Sequence, residues 1–181
     1  AILEELVGID TTQSGSTTRA AGSVAARLWS EGFPEADVQV LGPAPNRGNL
    51  VARLRGRNIA RKPILVMAHL DVVEALPQDW TVPPFAFTER DGWFYGRGTM
   101  DDKDEAAIWT TTLIRLRREG YAADRDVVLM LTADEEAGAH NGVDWLLRNH
   151  RGLIDAAFAL NEGGGGVLKQ GRRLSHNLQA S

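Results

Sequence analysis

The sequence predicts an α/β fold, a mixed β-sheet sandwiched by helices. Three observations predict it. Strand-like runs alternate with helical patterns along most of the chain. The run KPILVMAHLD is apolar almost throughout, as in a strand covered on both faces. The stretch DKDEAAIWTTTLIRLRREG (102–120) has acids in its first turn, bases in its last and Gly120 as a stop, so it reads as a long helix.

The other elements follow in order. Ile2, Leu3, Leu6 and Val7 fit one face of a short helix. TTQSGSTT (11–18) is a polar loop in which Thr17 or Thr18 caps the helix RAAGSVAARLWSEG (19–32), stopped by Gly32 and Pro34. ADVQVLG and NLVARLRG alternate like strands. PFAFTERDGWFYGRG reads as two short strands around an Asp91-Gly92 turn. RDVVLMLTADEE begins as a buried strand, NGVDWLLRNH is a short helix, and AAFALNEGGGG begins as a third core strand. VLKQGRRLSHNLQAS predicts a hairpin turning at Gln170-Gly171. There is no internal repeat and no clear linker.

Composition narrows the function. The 181 residues suffice for one domain with a sizeable core. Lys plus Arg total 20 against 24 Asp plus Glu, a net charge of −4, which argues against nucleic-acid partners and a polybasic membrane surface. No apolar run approaches the ~20 residues of a membrane span. The chain has no cysteine, so any metal must be held by His, Asp and Glu. It opens at Ala1 already in a helical pattern, so we expect its true N-terminus to lie upstream; a cytoplasmic and an exported protein are equally compatible with it.

Three apolar strands end in potential ligands. ILVMA runs into His69 and Asp71, VVLMLT into Asp134, Glu135 and Glu136, and AFAL into Asn161 and Glu162. The pair Asp101-Asp102 precedes the long helix. Sites in open α/β sheets gather beyond the carboxyl ends of strands. Each piece has a plain structural alternative: a satisfied strand-end His, an N-cap pair at Asp101-Asp102, a solvated Glu135-Glu136 loop, a turn residue at Glu162. Four acidic ends together favour one polar site, suited to zinc or to manganese or cobalt in its place.

HLDVV, GRGTMDDK, ADEEAG and NEGG, in this order, resemble the co-catalytic zinc metallopeptidase family 20. That group includes aminoacylase, carboxypeptidase G, acetylornithine deacetylase, succinyl-diaminopimelate desuccinylase and dipeptidases. The resemblance implies a zinc-exopeptidase-like domain that hydrolyses an amide bond in a short peptide or N-acyl amino acid with two zinc ions. It implies that His69 is a ligand of the first metal and that Asp71 orients its imidazole. Asp101 would bridge the two metals, with a cis peptide bond to Asp102. Glu135 would be the general base, Glu136 a ligand of the second metal, and Glu162 the last ligand of the first, where other members have Asp.

The resemblance also implies parts not found in residues 1–181. One is a further His ligand for the second metal. The others are an inserted lid and dimerisation domain and the C-terminal part of the catalytic domain. His176 does not match the missing ligand's position, and His140 and His150 read as surface residues. We therefore expect residues 1–181 to be the N-terminal part of a catalytic domain, inactive alone, with a homodimer formed through the inserted domain. A non-catalytic metal-binding or assembly domain is the competing reading, and Glu135, which such a relative would have no reason to keep, argues against it. A metal phosphoesterase would need more His ligands and a phosphate clamp, for which only Lys103 and Arg97 lie near the motifs.

Overall fold

A five-stranded sheet organises the chain. The computed structural model describes residues 1–163 and, beyond them, the backbone of residues 165–169 and 172–177. Strands β1 (Val38–Leu41), β2 (Asn49–Leu54) and β3 (Ile64–His69) come first, then a small hairpin of β4 (Thr88–Arg90) and β5 (Trp93–Tyr95), then β6 (Val127–Thr132) and β7 (Phe158–Leu160). The sheet order is β1-β2-β6-β3-β7. β1 and β2 are antiparallel, as are β2 and β6, whereas β3 runs parallel to both β6 and β7. The sheet is thus mixed, as expected.

The two-residue period of the strands sorts their side chains onto two cores. Leu50, Ala52, Leu54, Val66, Ala68, Leu129 and Leu131 face one side. There they meet α1 (Ile2–Val7), α2 (Thr17–Ser30) and α3 (Lys103–Arg118). Val51, Leu65, Val128 and Met130 face the other, against Leu146 of α4 (Gly142–Asn149) and Ile154 of α5 (Arg151–Ile154). Helices on both faces explain why β3 and β6 lack polar alternation. α2 buries Ala20, Ala21, Val24, Ala25 and Leu28, and α3 buries Ala106, Ala107, Thr110, Leu113 and Ile114. Both sets follow the i, i+1, i+4 stripe of a helix facing a core.

Three local expectations are corrected. α2 begins at Thr17 rather than residue 19, and its cap is Ser16, whose hydroxyl accepts from the Arg19 amide at 3.4 Å. Thr17 and Thr18 are spent on the neighbouring loop: Thr17 Oγ1 donates to the Asn46 carbonyl, and Thr18 Oγ1 accepts from the Gly48 amide. β7 is an edge strand, not a core strand, and all three of its residues are exposed. Among the described residues only β3 pairs with it. The short helix α5 was not foreseen. The hairpin at Asp91-Gly92 forms as expected, with φ of 54° and 78° supplying the two left-handed residues of a tight turn. β8 (Gly165–Lys169) and β9 (Arg172–Asn177) pair antiparallel, while Gln170-Gly171 and the side chain of His176 lie outside the described residues.

Candidate metal centre

Parallel pairing of β6, β3 and β7 points their carboxyl ends the same way. His69 ends β3, the Asp134–Glu136 loop follows β6, and Glu162 lies two residues past β7. Asp101 arrives from the start of α3. The peptide bond between Asp101 and Asp102 is cis.

His69 is buried at the centre. Its Nδ1 lies 2.9 Å from the main-chain carbonyl of Asp71. A carbonyl only accepts, so Nδ1 carries a proton and donates it there. Nε2 then faces outward, 2.9 Å from Asp101 Oδ1, 3.8 Å from Glu162 Oε1 and 3.9 Å from Glu135 Oε2. In a neutral imidazole this nitrogen is an acceptor surrounded by acceptors. A proton, on the ring or on a facing carboxyl, or a cation satisfies that position. Burial works to lower the His69 pKa, but the charges of Asp71, Asp102 and Glu162 and the carbonyl bond outweigh it, and the net shift is upward.

Asp71 meets the ring of His69 and the glutamate loop together. Its carboxylate stands 3.7 Å from Nδ1, and its main-chain carbonyl holds the ring. The carboxylate accepts the amides of Glu135 (3.0 Å) and Glu136 (2.9 Å). Those amides are spaced to be bridged by the two oxygens of one carboxylate, so the side chain is engaged with the loop. Asp71 therefore connects the ring of His69 to the two glutamates.

Asp102 occupies the N-cap position of α3 but does not cap it. Its carboxylate accepts the backbone amide of His69 at 3.0 Å. Burial pushes the Asp102 carboxyl up to about 7, the His69 bond and charge pull it down, and Glu105 and Glu162 add to the rise. Lys103 is wholly buried and is no phosphate clamp. Its Nζ donates to the carbonyls of Leu6 (2.9 Å) and Ile9 (2.8 Å), tying the end of α1 to the start of α3. Burial lowers it to about 8, and Asp10 and Asp71 oppose that fall.

Two groups of donors can each surround one ion: His69 with Asp101 and Glu136, and His69 with Glu135 and Glu162, the atoms of each lying within 4.8 Å of one another. The four expected ligands and the expected base, Glu135, are therefore brought together, although Asp101 and Glu162 fall in different groups. Like charges crowded around one imidazole raise one another's pKa. Burial raises the pKa of Glu136, aided by Asp101 and Glu135; His69 opposes the rise. Burial likewise raises Glu162, with His69 opposing and Glu135 and Asp101 adding. A divalent ion would relieve both the repulsion and the bare Nε2, so the donors suit zinc with nitrogen and oxygen ligands. His140 is exposed and, like His150, belongs to neither group.

Sequence reading missed what holds the glutamate loop from behind. Asn49 Oδ1 accepts the Ala133 amide at 2.9 Å, and the Ala133 carbonyl accepts from Gly142 at 2.8 Å. A Cβ on Gly142 would sit 1.9 Å from Asn49 Oδ1 and 2.9 Å from the Ala133 nitrogen. Gly142→Ala is therefore expected to cost roughly 1–3 kcal/mol of stability, the range for overpacking, as a lower midpoint in urea unfolding.

The chain matches Peptidase family M20/M25/M40 over residues 65–175, more than half its length. It belongs to that family. The N-fatty-acyl-amino acid synthase/hydrolase of Xenopus tropicalis is 37% identical over 112 residues, 61% of this chain and 22% of that protein. The succinyl-diaminopimelate desuccinylase of Delftia acidovorans is 39% identical over 134 residues, 69% of this chain and 34% of that protein. The M20 metallo-carboxypeptidase Sso-CP2 of Sulfolobus solfataricus superposes with a TM-score of 0.73 at 21% identity, covering 89% of this chain and 36% of that one. The chain thus spans about a fifth to a third of each of these relatives.

Proposed function

We propose that this chain carries the core of a two-metal centre that hydrolyses the amide bond of a short peptide or an N-acyl amino acid. The observation that carries the reading is the convergence of His69, Asp101, Glu135, Glu136 and Glu162 beyond the ends of three parallel strands. Relatives named for N-fatty-acyl amino acids and for succinyl-diaminopimelate favour an acyl–nitrogen bond as the target.

His69, Asp101 and Glu162 would hold one ion, and Asp101 and Glu136 the other. Bound metal lowers the pKa of a water and polarises a carbonyl. The Glu135 side chain is 46% exposed, and its backbone amide is held by Asp71. It takes the proton of the attacking water and passes it to the leaving nitrogen as the carbon–oxygen bond forms and the carbon–nitrogen bond breaks. The products are a carboxylate and an amine.

The test is an assay of N-acyl amino acids and dipeptides with the complete polypeptide, before and after chelation and with zinc, cobalt or manganese restored. Metal-dependent release of a free amine is expected. A zinc-loaded, folded protein that cleaves none of them would overturn the reading. Zinc should also stabilise the fold. At a free concentration 100 times its Kd, a ligand binding only the folded state adds about 2.7 kcal/mol. For a chain of this size that raises Tm by roughly 5–10 °C. Thermal unfolding with zinc and then with EDTA measures it, and an unchanged Tm would remove the metal from the site.

A further inference from the structure

We propose that Arg47 is a positioning residue for the glutamate loop, acting through a buried ion pair with Asp134. The inference rests on the amide-hydrolase reading and extends it to a residue outside every motif. Arg47 and Asp134 are 6% and 4% exposed, and Arg47 Nε lies 3.0 Å from Asp134 Oδ1. Asp134 immediately precedes Glu135. Its φ is 53°, a left-handed conformation that Asp and Asn tolerate better than other side chains with a Cβ. That conformation turns the chain from β6 toward the site.

The rest of the guanidinium is committed too. Nη1 donates to the carbonyls of Gly15 (3.1 Å) and Asn46 (3.0 Å), and Nη2 donates to the carbonyl of Gln13. Asp134 Oδ2 accepts the His140 amide at 3.2 Å, and the Asp134 carbonyl accepts from Asn141 Nδ2 at 3.2 Å. Gln13 Nε2 bonds the Ala137 carbonyl. Arg47 therefore fastens three loops at one point, residues 13–15, 46–47 and 134–141. A lysine has neither the planar fork nor enough donors to reproduce these bonds.

The consequence lies at the next two residues. Asp71 grips the Glu135 and Glu136 amides, and Arg47 fixes Asp134 just before them. Glu135 must reach both a water and a leaving nitrogen, and a misplacement near 1 Å can cost about 10²-fold in rate. Removing the Arg47 anchor should therefore lower turnover more than substrate affinity.

The test compares wild type with Arg47→Met/Asp134→Asn, which leaves no lone buried charge, and with Asp134→Asn alone, which keeps the left-handed preference. Amide exchange by NMR on this chain reads the loop directly. In the double variant the Glu135 and Glu136 amides should exchange at least about 10-fold faster, while those of β3 and β6 stay within about twofold. In the complete polypeptide kcat should fall about 10- to 100-fold with KM within about threefold. A folded double variant with wild-type exchange at these two amides, or with wild-type kcat, overturns the proposal. If the double variant does not fold, Asp134→Asn decides on the same readouts, with at least about a fivefold loss of kcat expected and wild-type values overturning it. A wild-type protein that hydrolyses no amide refutes the functional reading separately, and the exchange comparison still decides whether Arg47 orders the loop.

Discussion

Glu135→Ala in the complete polypeptide is expected to lower kcat by at least ~10²-fold, the usual scale for loss of a general base, with metal content nearly intact. The sequence places two glutamates side by side, and the structure gives them different surroundings. Glu136 groups with Asp101 and has a raised pKa, chiefly from burial, as a ligand crowded by acids would. Glu135 keeps 46% of its side chain exposed, where a water and a substrate can reach it. It also lies close enough to His69 and Glu162 to serve as a third donor, which is the competing role. Metal analysis separates the two. A base removed leaves zinc bound and turnover lost, whereas a ligand removed loses both together. Glu135→Gln sharpens the comparison, because it keeps the shape and a weak oxygen donor but cannot accept the proton.

The parts legible in the sequence were those with a local signal. Apolar runs ending in His69, Glu135 and Glu162 marked strands that deliver ligands, and parallel pairing then brought those ends together. Acids and bases at the two ends of α3 marked its limits within two residues. The supports were not legible. Arg47 sits in an unremarkable loop 87 residues before Asp134, and only the folded chain makes them partners. Asn49 reads as the first residue of a strand, yet its side chain reaches the Ala133 amide. Asp71 was legible beside His69, but its bonds to the Glu135 and Glu136 amides were not, since spacing along one strand says nothing of the loop after β6. β7 read as a core strand because its residues are apolar, and periodicity cannot tell an edge from a centre.

The polypeptide of residues 1–181, expressed alone, is expected to bind at most one zinc tightly and to show negligible hydrolysis. Zinc prefers four ligands and commonly includes an imidazole. Among the described residues the site has one imidazole, His69, and both donor groups depend on it. One ring nitrogen can serve one ion. An ion bound by His69, Asp101 and Glu162 would leave the second with Glu136 and a shared Asp101, a weak pair of oxygen donors. Without a second ion the attacking water is poorly activated. The uncovered edge adds a physical signature. Phe158 and Leu160 of β7 are 50% and 45% exposed on a strand whose outer edge pairs with no other strand among the described residues, a surface prone to pairing with another copy. Zinc stoichiometry by equilibrium dialysis, size-exclusion chromatography and an assay against dipeptides and N-acyl amino acids measure all three expectations. Two tightly held zinc ions per chain, with turnover close to that of the complete polypeptide, would mean that a residue outside the two donor groups completes the site, and the two-metal assignment made here would fall with it.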